Sequence, residues 1–459
     1  MGDVLVPPAL LGDLAGAGDV VTDPDVLEAY RRDQAAPGLL EAGMPAVLVR
    51  PTGTAQVQAA VRAAARHRVA VVPRGGGSGL SGGANAVDGC VVLCLERMTR
   101  VVEVDAAALT ATVEAGVLNA QLAAAARSEG LWYPPDPASW EFSTIGGNVA
   151  TNAGGLCCVK YGVTRDVLQE VEVVLADGRA VRLGRRTRKG VAGYDLAGLL
   201  CGSEGTLGVI TEATVRLLPP PRPASTLAAS FASLPDAGVA IARIARELRP
   251  SLLELMDATT IAAVEDLQPM ELDRDDAALV FARSDAGAHE GPEEIARMQA
   301  LCEESGATLV VTSDEEAEGR MLLAARRLAY PALERKGTTL LDDVGVPVPA
   351  VPALLDGVAR IAEEHELVIG TFGHAGDGNM HPTIVYDHRD AAQVARARSA
   401  FAAIVELALG LGGTVTGEHG VGLLKREHLA AELGDAHDLH HAVKRALDPA
   451  GLLNPGKAI

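Results

Sequence analysis

The sequence predicts an α+β protein built in two parts, and three observations carry that prediction. The chain has 459 residues and 48% hydrophobic content, enough for two or three separate cores. The stretch "LLPPPRPAS" (Leu217–Ser225) packs four prolines into five residues, which continue neither a helix nor a central strand. The pattern also changes across that break. Before it, β-branched runs are separated by glycine-rich turns; after it, amphipathic helices alternate with short strands.

Residues 1–39 read as a helical lead-in, in which "TDPDVLEAYRRD" offers Thr22 or Asp23 as an N-cap. "TAQVQAAVRAAARHR" (Thr54–Arg68) is an alanine-rich amphipathic helix. "VAVVPRGGGSGLSGGANAVDGCVVLCL" runs strand, glycine loop, strand. "VVEVDAAALTATVEAGV" reads as a hairpin, and "LNAQLAAAARSEG" as a helix stopped by Gly130. "EVEVVLADGRAVRL" is a second hairpin, turning at Asp177-Gly178. These elements make a first domain, residues 40–221. Residues 222–440 make a second. There "DAGVAIARIARELRP" and "PEEIARMQALCEESG" are helices, and "SLLELMD", "AALVFARS" and "ATLVVTS" are strands. That alternation predicts an antiparallel or mixed sheet with helices on one face. Residues 441–459, closing on "DPAGLLNPGKAI", read as an irregular tail.

Charge narrows the function. The formal net charge is -20, and the densest basic patch, "GRRTRKG" (Gly184–Gly190), is short. Nucleic acid is excluded as a partner, because phosphate binding needs a concentrated positive surface. An anionic substrate would need a local arginine or a bound cation. The six cysteines form no CxxC and no zinc-ribbon or iron–sulfur spacing, which fits buried thiols in a reducing cytoplasm. "MGDVLVPPALLGDLAG" has no basic segment ahead of its apolar residues, so no signal peptide is expected. No apolar run is long enough to span a membrane.

"GSGLSG" (Gly77–Gly82) matches the dinucleotide fingerprint literally, and Glu103 sits where an acidic residue is wanted. That fingerprint must open a helix, whereas here a turn and a β-branched strand follow. The loop is better read as a concave nest of backbone N–H groups, with Arg74, Ser78 and Ser81 as further donors. "STIGGNVATNAGG" (Ser143–Gly155) and "GSEGTLGVIT" (Gly202–Thr211) read as two more glycine-rich loops. Three such loops in one domain suggest an extended cofactor touched by several turns.

"ELVIGTFGH", "AGDGN" and "MHPTIVY" read strand, turn, strand, a hairpin turning at Asp377-Gly378. His374 and His381 flank its loop, where cross-strand neighbours meet. Such a pair is either a metal clip or simply structural. "TVTGEHGVG" (Thr414–Gly422) offers a third group. Glu418 and His419 are adjacent in an extended segment, so one can bind a metal while the other faces a substrate. In "LLAARRLAYPALERKG", Arg326 is a candidate for a substrate carboxylate, which guanidinium matches bidentately. A solvated helix face is the alternative.

The ordered set "PRGGGSGLSGG", "STIGGNVATNAGG", "GSEGTLGVIT", "GHAGDGNMH", "GEHG" and "LLNPGK" resembles the flavin-linked 2-hydroxyacid oxidoreductases of the vanillyl-alcohol-oxidase/PCMH fold. The likeness extends from about Tyr30 to Lys457. It points to the FAD subunits of bacterial glycolate oxidases, with D-lactate and D-2-hydroxyglutarate dehydrogenases as relatives. The resemblance implies a two-part PCMH-type FAD-binding domain, a substrate (cap) domain with an antiparallel sheet and helices, and a tail that returns to the cofactor.

The resemblance also implies roles. Pro73, Arg74, Gly75, Gly76, Gly77, Ser78, Gly79, Ser81 and Gly82 would wrap the FAD pyrophosphate. Gly146, Gly147, Asn148, Ala150, Thr151, Asn152, Gly154 and Gly155 would lie along the isoalloxazine and ribityl chain. Glu204, Gly205, Gly208, Val209 and Ile210 would support the flavin, and Asn454 would come back to it. Ser78 stands where some members carry a flavin-linked histidine, so FAD is expected to be non-covalent. His374, His381 and Glu418 would hold a divalent metal, zinc ahead of manganese. His419 would be the general base, and Arg326, with Tyr330 one turn on, would take the substrate.

Relatives acting on 2-hydroxyglutarate carry a lysine near Leu341 and an asparagine near Thr383, and both are missing here. The expected substrate is therefore a small 2-hydroxy monocarboxylic acid, glycolate or D-lactate, oxidised by hydride transfer to flavin N5. The alternatives are a flavin-binding subunit of a larger redox complex and a D-2-hydroxyglutarate-type dehydrogenase. A metal-dependent hydrolase without flavin and a flavoenzyme for a different donor are further rivals. Electrons would pass to an external acceptor or a redox partner subunit. A homodimer and a peripheral position on the inner face of a membrane are compatible with this picture.

Overall fold

The computed structural model describes residues 8–459. In its first part, Val47–Arg50, Val71–Arg74 and Val91–Cys94 pair in parallel, and Asp19–Val21 adds an antiparallel edge. Parallel strands need a crossover, and the helix Thr54–His67 supplies the one from Val47–Arg50 to Val71–Arg74, which lie on either side of Val91–Cys94. Its Val57, Ala60, Val61 and Ala64 are buried in the same core as Val47, Val49, Val71 and Val91. The second crossover is the glycine loop itself. It leaves Val71–Arg74 and reaches Val91–Cys94 without forming a helix, as the sequence predicts.

A five-stranded antiparallel sheet follows, in the order Val101–Asp105, Thr110–Glu114, Val209–Arg216, Leu168–Val174, Ala180–Gly184. Gly178 turns the last hairpin at φ +77. "STIGGNVATNAGG" differs from its reading as a loop, because Ile145–Thr151 is helical. Thr144 caps it by accepting the Gly147 N–H at 3.2 Å, and Asn152 ends it in the left-handed conformation. Its glycines are there for close approach. A Cβ on Gly146 would lie 2.6 Å from the Ala115 Cβ.

Beyond the prolines, eight strands form one antiparallel sheet. Its main path is Ala307–Ser313, Ser225–Phe231, Ala278–Ser284, Leu252–Asp257, Val368–His374, Asn379–Tyr386, Thr338–Leu341. Helices cover both faces rather than the expected single face. Leu253 and Leu255 point to the helices Leu234–Glu247, Glu290–Glu304, Val351–Glu364 and Ala391–Gly410. Leu252 and Met256 point the other way, toward Ala258–Leu267 and Ala324–Glu334. The strand pleat alternates between two apolar layers, so the centre of the sheet is buried on both sides, while its edge strand exposes Leu309 and Val311. Glu254 shares the second face and is fully buried.

The expected border at residue 440 falls inside a helix, His437–Leu447. The chain beyond it is irregular and returns to the first sheet, where the Asn454 N–H donates to the Val71 carbonyl at 2.8 Å.

Candidate active site

A cavity of roughly 1280 Å3 runs between the glycine loops of the first part and the cap sheet. That exceeds a typical small-ligand pocket of about 300–1,000 Å3 and suits an extended cofactor plus a substrate. Pro73, Arg74, Gly75, Gly76, Gly77, Ser78, Gly79 and Ser81 line one end; Gly146, Gly147, Asn148, Ala150, Thr151, Gly154 and Gly155 line the middle. Glu204, Gly205, Gly208 and Ile210 complete the wall. Among the described residues no acceptor faces the N–H groups of Gly76, Gly77 and Ser78. The Asn148 Nδ2 is also buried without a partner. Unmet donors along a roomy cavity fit the phosphates and heterocycle of FAD.

Four expected cofactor residues lie behind this wall. Gly82 turns at φ +77, and a Cβ there would meet Leu40 at 2.7 Å and Asn85 at 3.3 Å. Asn152 caps its helix and accepts the Arg165 N–H at 2.9 Å. Val209 is fully buried in the core. Asn454 donates through Nδ2 to the carbonyls of Gly83 and Glu204, at 2.9 and 2.6 Å, so it ties two cofactor loops together from behind. Ser81 also has a second task. Its hydroxyl donates to the carbonyls of His419 and Gly420 at 3.0 and 2.8 Å. Glu204 accepts the N–H groups of Val421 and Gly422 at 2.7 and 3.0 Å. The segment carrying Glu418 and His419 is thus clamped by the FAD-binding part.

At the other end, the hairpin Val368–His374/Asn379–Tyr386 sets Phe372 opposite His381 and His374 opposite Asn379. The two histidines are diagonal neighbours rather than directly opposed. They still project from one face, with ring centroids 5.2 Å apart. The Glu418 Oε1 lies 3.2 Å from His374 Nε2, 3.4 Å from His381 Nε2 and 3.8 Å from His419 Nε2. Three imidazole nitrogens and a carboxylate therefore converge on one point, a donor set that suits zinc.

Asp343, which the sequence reading missed, organises this cluster. It is fully buried, and its Oδ2 accepts the N–H groups of Gly417, Glu418 and His419 at 3.0, 3.0 and 2.8 Å. By proximity Asp343 groups with His381, Glu418 and His419 as a metal-ligand set. Its Oδ2 takes up those donors, while its Oδ1 is buried without a hydrogen-bond partner, 3.7 Å from His381 Nδ1. His374, expected as a ligand, lies outside that set, with its Nε2 3.2 Å from Glu418 Oε1. Lys425, 1% exposed, donates to the Asp343 carbonyl at 2.7 Å and pairs with Asp342 at 3.1 Å.

Charge in the cluster is strongly shifted. Burial would raise the Glu418 carboxyl, but hydrogen bonds from His374 and His381 hold it far below the usual range. Burial lowers His419 below the ordinary histidine value; Asp343 opposes that and His381 adds to it, leaving the imidazole neutral near pH 7. Burial also works against the charge of His374, but Glu254 and then Glu418 outweigh it and hold it well above the ordinary value.

Arg326 and Tyr330 both line the cavity beside Leu341 and Phe372. Arg326 is not a free group on a solvated face. Its Nε and one terminal nitrogen contact Glu254 at 2.8 and 2.7 Å, and its guanidinium lies 4.7 Å over the Phe372 ring. The Tyr330 hydroxyl is 3.1 Å from Thr339 Oγ1. Asp343 and Glu254 did leave a trace in the sequence: an acidic residue inside an apolar strand context, in "TTLLDDVGV" and "SLLELMD". Buried carboxylates persist only where something pairs them.

Fold and site together define a flavin-linked oxidoreductase. Residues 45–184 match the family described as FAD binding domain, and residues 220–458 match FAD linked oxidases, C-terminal domain. The chain belongs to the FAD-linked oxidase family. It is 41% identical to the glycolate oxidase subunit GlcD of Bacillus subtilis (strain 168), over 90% of this chain and 89% of that one. It is 36% identical to a D-lactate dehydrogenase of Archaeoglobus fulgidus, over 94% and 96%. With a D-2-hydroxyglutarate dehydrogenase of Stutzerimonas stutzeri it shares 34% identity over 99% of both chains. The solved structure of p-cresol methylhydroxylase with substrate bound superposes with a TM-score of 0.81 at 20% identity, covering 98% of this chain and 96% of that one. The PCMH-type fold expected from the motifs is borne out. No helix among the described residues is long and apolar enough to cross a membrane.

Proposed function

We propose that this protein oxidises a small 2-hydroxy monocarboxylic acid, glycolate or D-lactate, to the corresponding 2-oxo acid. One observation carries the reading: the His374–His381–Glu418–His419 cluster and Arg326 line the same cavity as the flavin-facing glycines. Bound FAD supplies a two-electron acceptor, and a divalent metal held by His374, His381 and Glu418, zinc or manganese, supplies Lewis acidity toward a hydroxyl. Arg326 offers the remaining edge of its guanidinium to the substrate carboxylate. Tyr330 packs beside it. His419, neutral because it is buried, takes the hydroxyl proton at Nε2, since its Nδ1 faces Asp343 at 4.0 Å.

Leu341 pairs with Thr383 across the sheet next to His381, and neither brings charge for a second carboxylate. That favours a monocarboxylate over 2-hydroxyglutarate. The relatives named as subunits support transfer of the electrons to a redox partner rather than to an acceptor bound within this chain. The test is steady-state oxidation with an artificial acceptor. Glycolate, D-lactate, L-lactate and D-2-hydroxyglutarate are compared by kcat/KM. Glycolate or D-lactate should lead. A preference for D-2-hydroxyglutarate would move the substrate assignment, and no turnover with any 2-hydroxy acid would overturn the reading.

A further inference from the structure

We propose that Glu254 is a positioning residue that yokes the arginine of the substrate site to a histidine of the metal cluster. This rests on the function proposed above and extends it to a residue with no assigned role. Glu254 sits in the middle of the strand Leu252–Asp257. The register that pairs Leu255 with Gly373 and Met256 with Phe372 brings Glu254 to the level of His374 on the neighbouring strand. Its side chain is fully buried, where an unpaired carboxylate would be strongly disfavoured. Both oxygens are engaged, and by different partners. Oε1 is 2.7 Å from His374 Nδ1, and Oε2 receives Arg326 at 2.7 and 2.8 Å.

The consequences for the two partners differ. A carboxylate on Nδ1 fixes the imidazole so that Nε2 points to Glu418, and it raises the basicity of that nitrogen. For Arg326, contacts at Nε and one terminal nitrogen fix the plane of the guanidinium, which Phe372 supports from beneath. Only one edge remains for an incoming carboxylate. The carboxylate grip and the metal cluster therefore share one rigid spacer, held by a central strand rather than a loop. A substrate bound to Arg326 has its hydroxyl presented to the cluster at a distance that Glu254 sets.

The test measures metal and acid binding separately on the FAD-loaded protein. Metal affinity is read by zinc competition with a chromogenic chelator, and acid binding by the flavin spectral change with oxalate, which is not oxidised. For Glu254→Gln the expected result is retained FAD, metal affinity lower by about ten- to a hundredfold, and weaker oxalate binding. For Arg326→Gln, zinc affinity should hold while oxalate binding falls. Glu254→Asp keeps the charge but is one methylene shorter, so it reaches one partner and should lose one of the two properties. Should Glu254→Gln misfold, Glu254→Asp carries the test alone. Unchanged zinc affinity and oxalate binding in either Glu254 variant would overturn the proposal. Because neither readout needs turnover, that failure is distinct from a wrong substrate assignment.

Discussion

The chemistry turns on which side-chain atoms the fold aims at one point. Three histidine Nε2 atoms surround the Glu418 Oε1, and buried carboxylates stand behind them: Glu254 at His374 Nδ1, and Asp343 near His381 and His419. His419→Gln removes the proposed base and leaves the proposed ligands. Its kcat should fall about 10²–10⁴-fold, with bound flavin and zinc content unchanged. Loss of zinc from that variant would make His419 a ligand instead. Asp343→Asn puts an amide where one oxygen accepts three backbone N–H groups. It should lower the unfolding midpoint by an amount equivalent to about 1–3 kcal/mol, since strong acceptors to buried donors are lost. It should also release zinc, and a variant that melts and binds zinc as the parent does would contradict the role given to Asp343. At this scale the fold does bring together His374, His381, Glu418 and His419, which the motifs singled out. The pattern alone left the histidine pair either a metal clip or structural, and the roles came from the resemblance. Glu254 and Asp343 were not legible, because one acid in an apolar strand does not name the partner that meets it from a distant segment.

Elements position these atoms, and they were legible where periodicity is strong. The hairpin from Val368 to Tyr386, the helix Thr54–His67 and the strands read in "SLLELMD", "AALVFARS" and "ATLVVTS" lie where the pattern put them, whereas Ser225–Phe231 and Thr338–Leu341 were not read. The misreading was Ile145–Thr151. Glycines, an asparagine and threonines read as a loop on local preference. Caps at Thr144 and Asn152, together with tight packing on Ala115, make the segment helical. Gly146→Ala checks this. Its new Cβ would meet the Ala115 Cβ at 2.6 Å and the Ala115 carbonyl at 2.9 Å, both in a buried strand end. The helix must shift along the flavin-facing wall, and the purified protein should carry less FAD. Full flavin occupancy in that variant would show that this approach is not needed. The second face of helices on the cap sheet was also illegible. A strand buried on both sides and one buried on a single side are hard to separate when polar residues such as Glu254 point into the core.

Across the whole molecule, the two parts are joined through the cofactor region. Ser81 and Glu204 reach from the FAD-binding part to the loop of His419, and Asn454 returns from the tail to the carbonyls of Gly83 and Glu204. The proline-rich break was legible from composition, but these ties were not, since each links residues hundreds of positions apart. They have a pH signature. Burial pushes Glu204 up to about 7 from an ordinary 4.5, more than the Gly422 and Val421 N–H groups pull it down. The folded state therefore keeps a proton that the unfolded chain has released. The stability tied to that proton is complete below pH 4.5 and is lost as pH rises through about 7. The flavin-free protein should show a falling urea midpoint over that window, and Glu204→Gln should flatten that part of the curve. An identical slope in the variant would assign the dependence to other groups.

The central claim is that one cavity joins a flavin to a metal-assisted site for a 2-hydroxy acid. Anaerobic mixing of the FAD-loaded protein with glycolate or D-lactate, followed by stopped-flow flavin absorbance, tests it most directly. The flavin should bleach in the metal-replete protein, fail to bleach after complete chelation, and bleach again when zinc or manganese is restored. Bleaching at the same rate without metal, or none with any 2-hydroxy acid, would contradict the account.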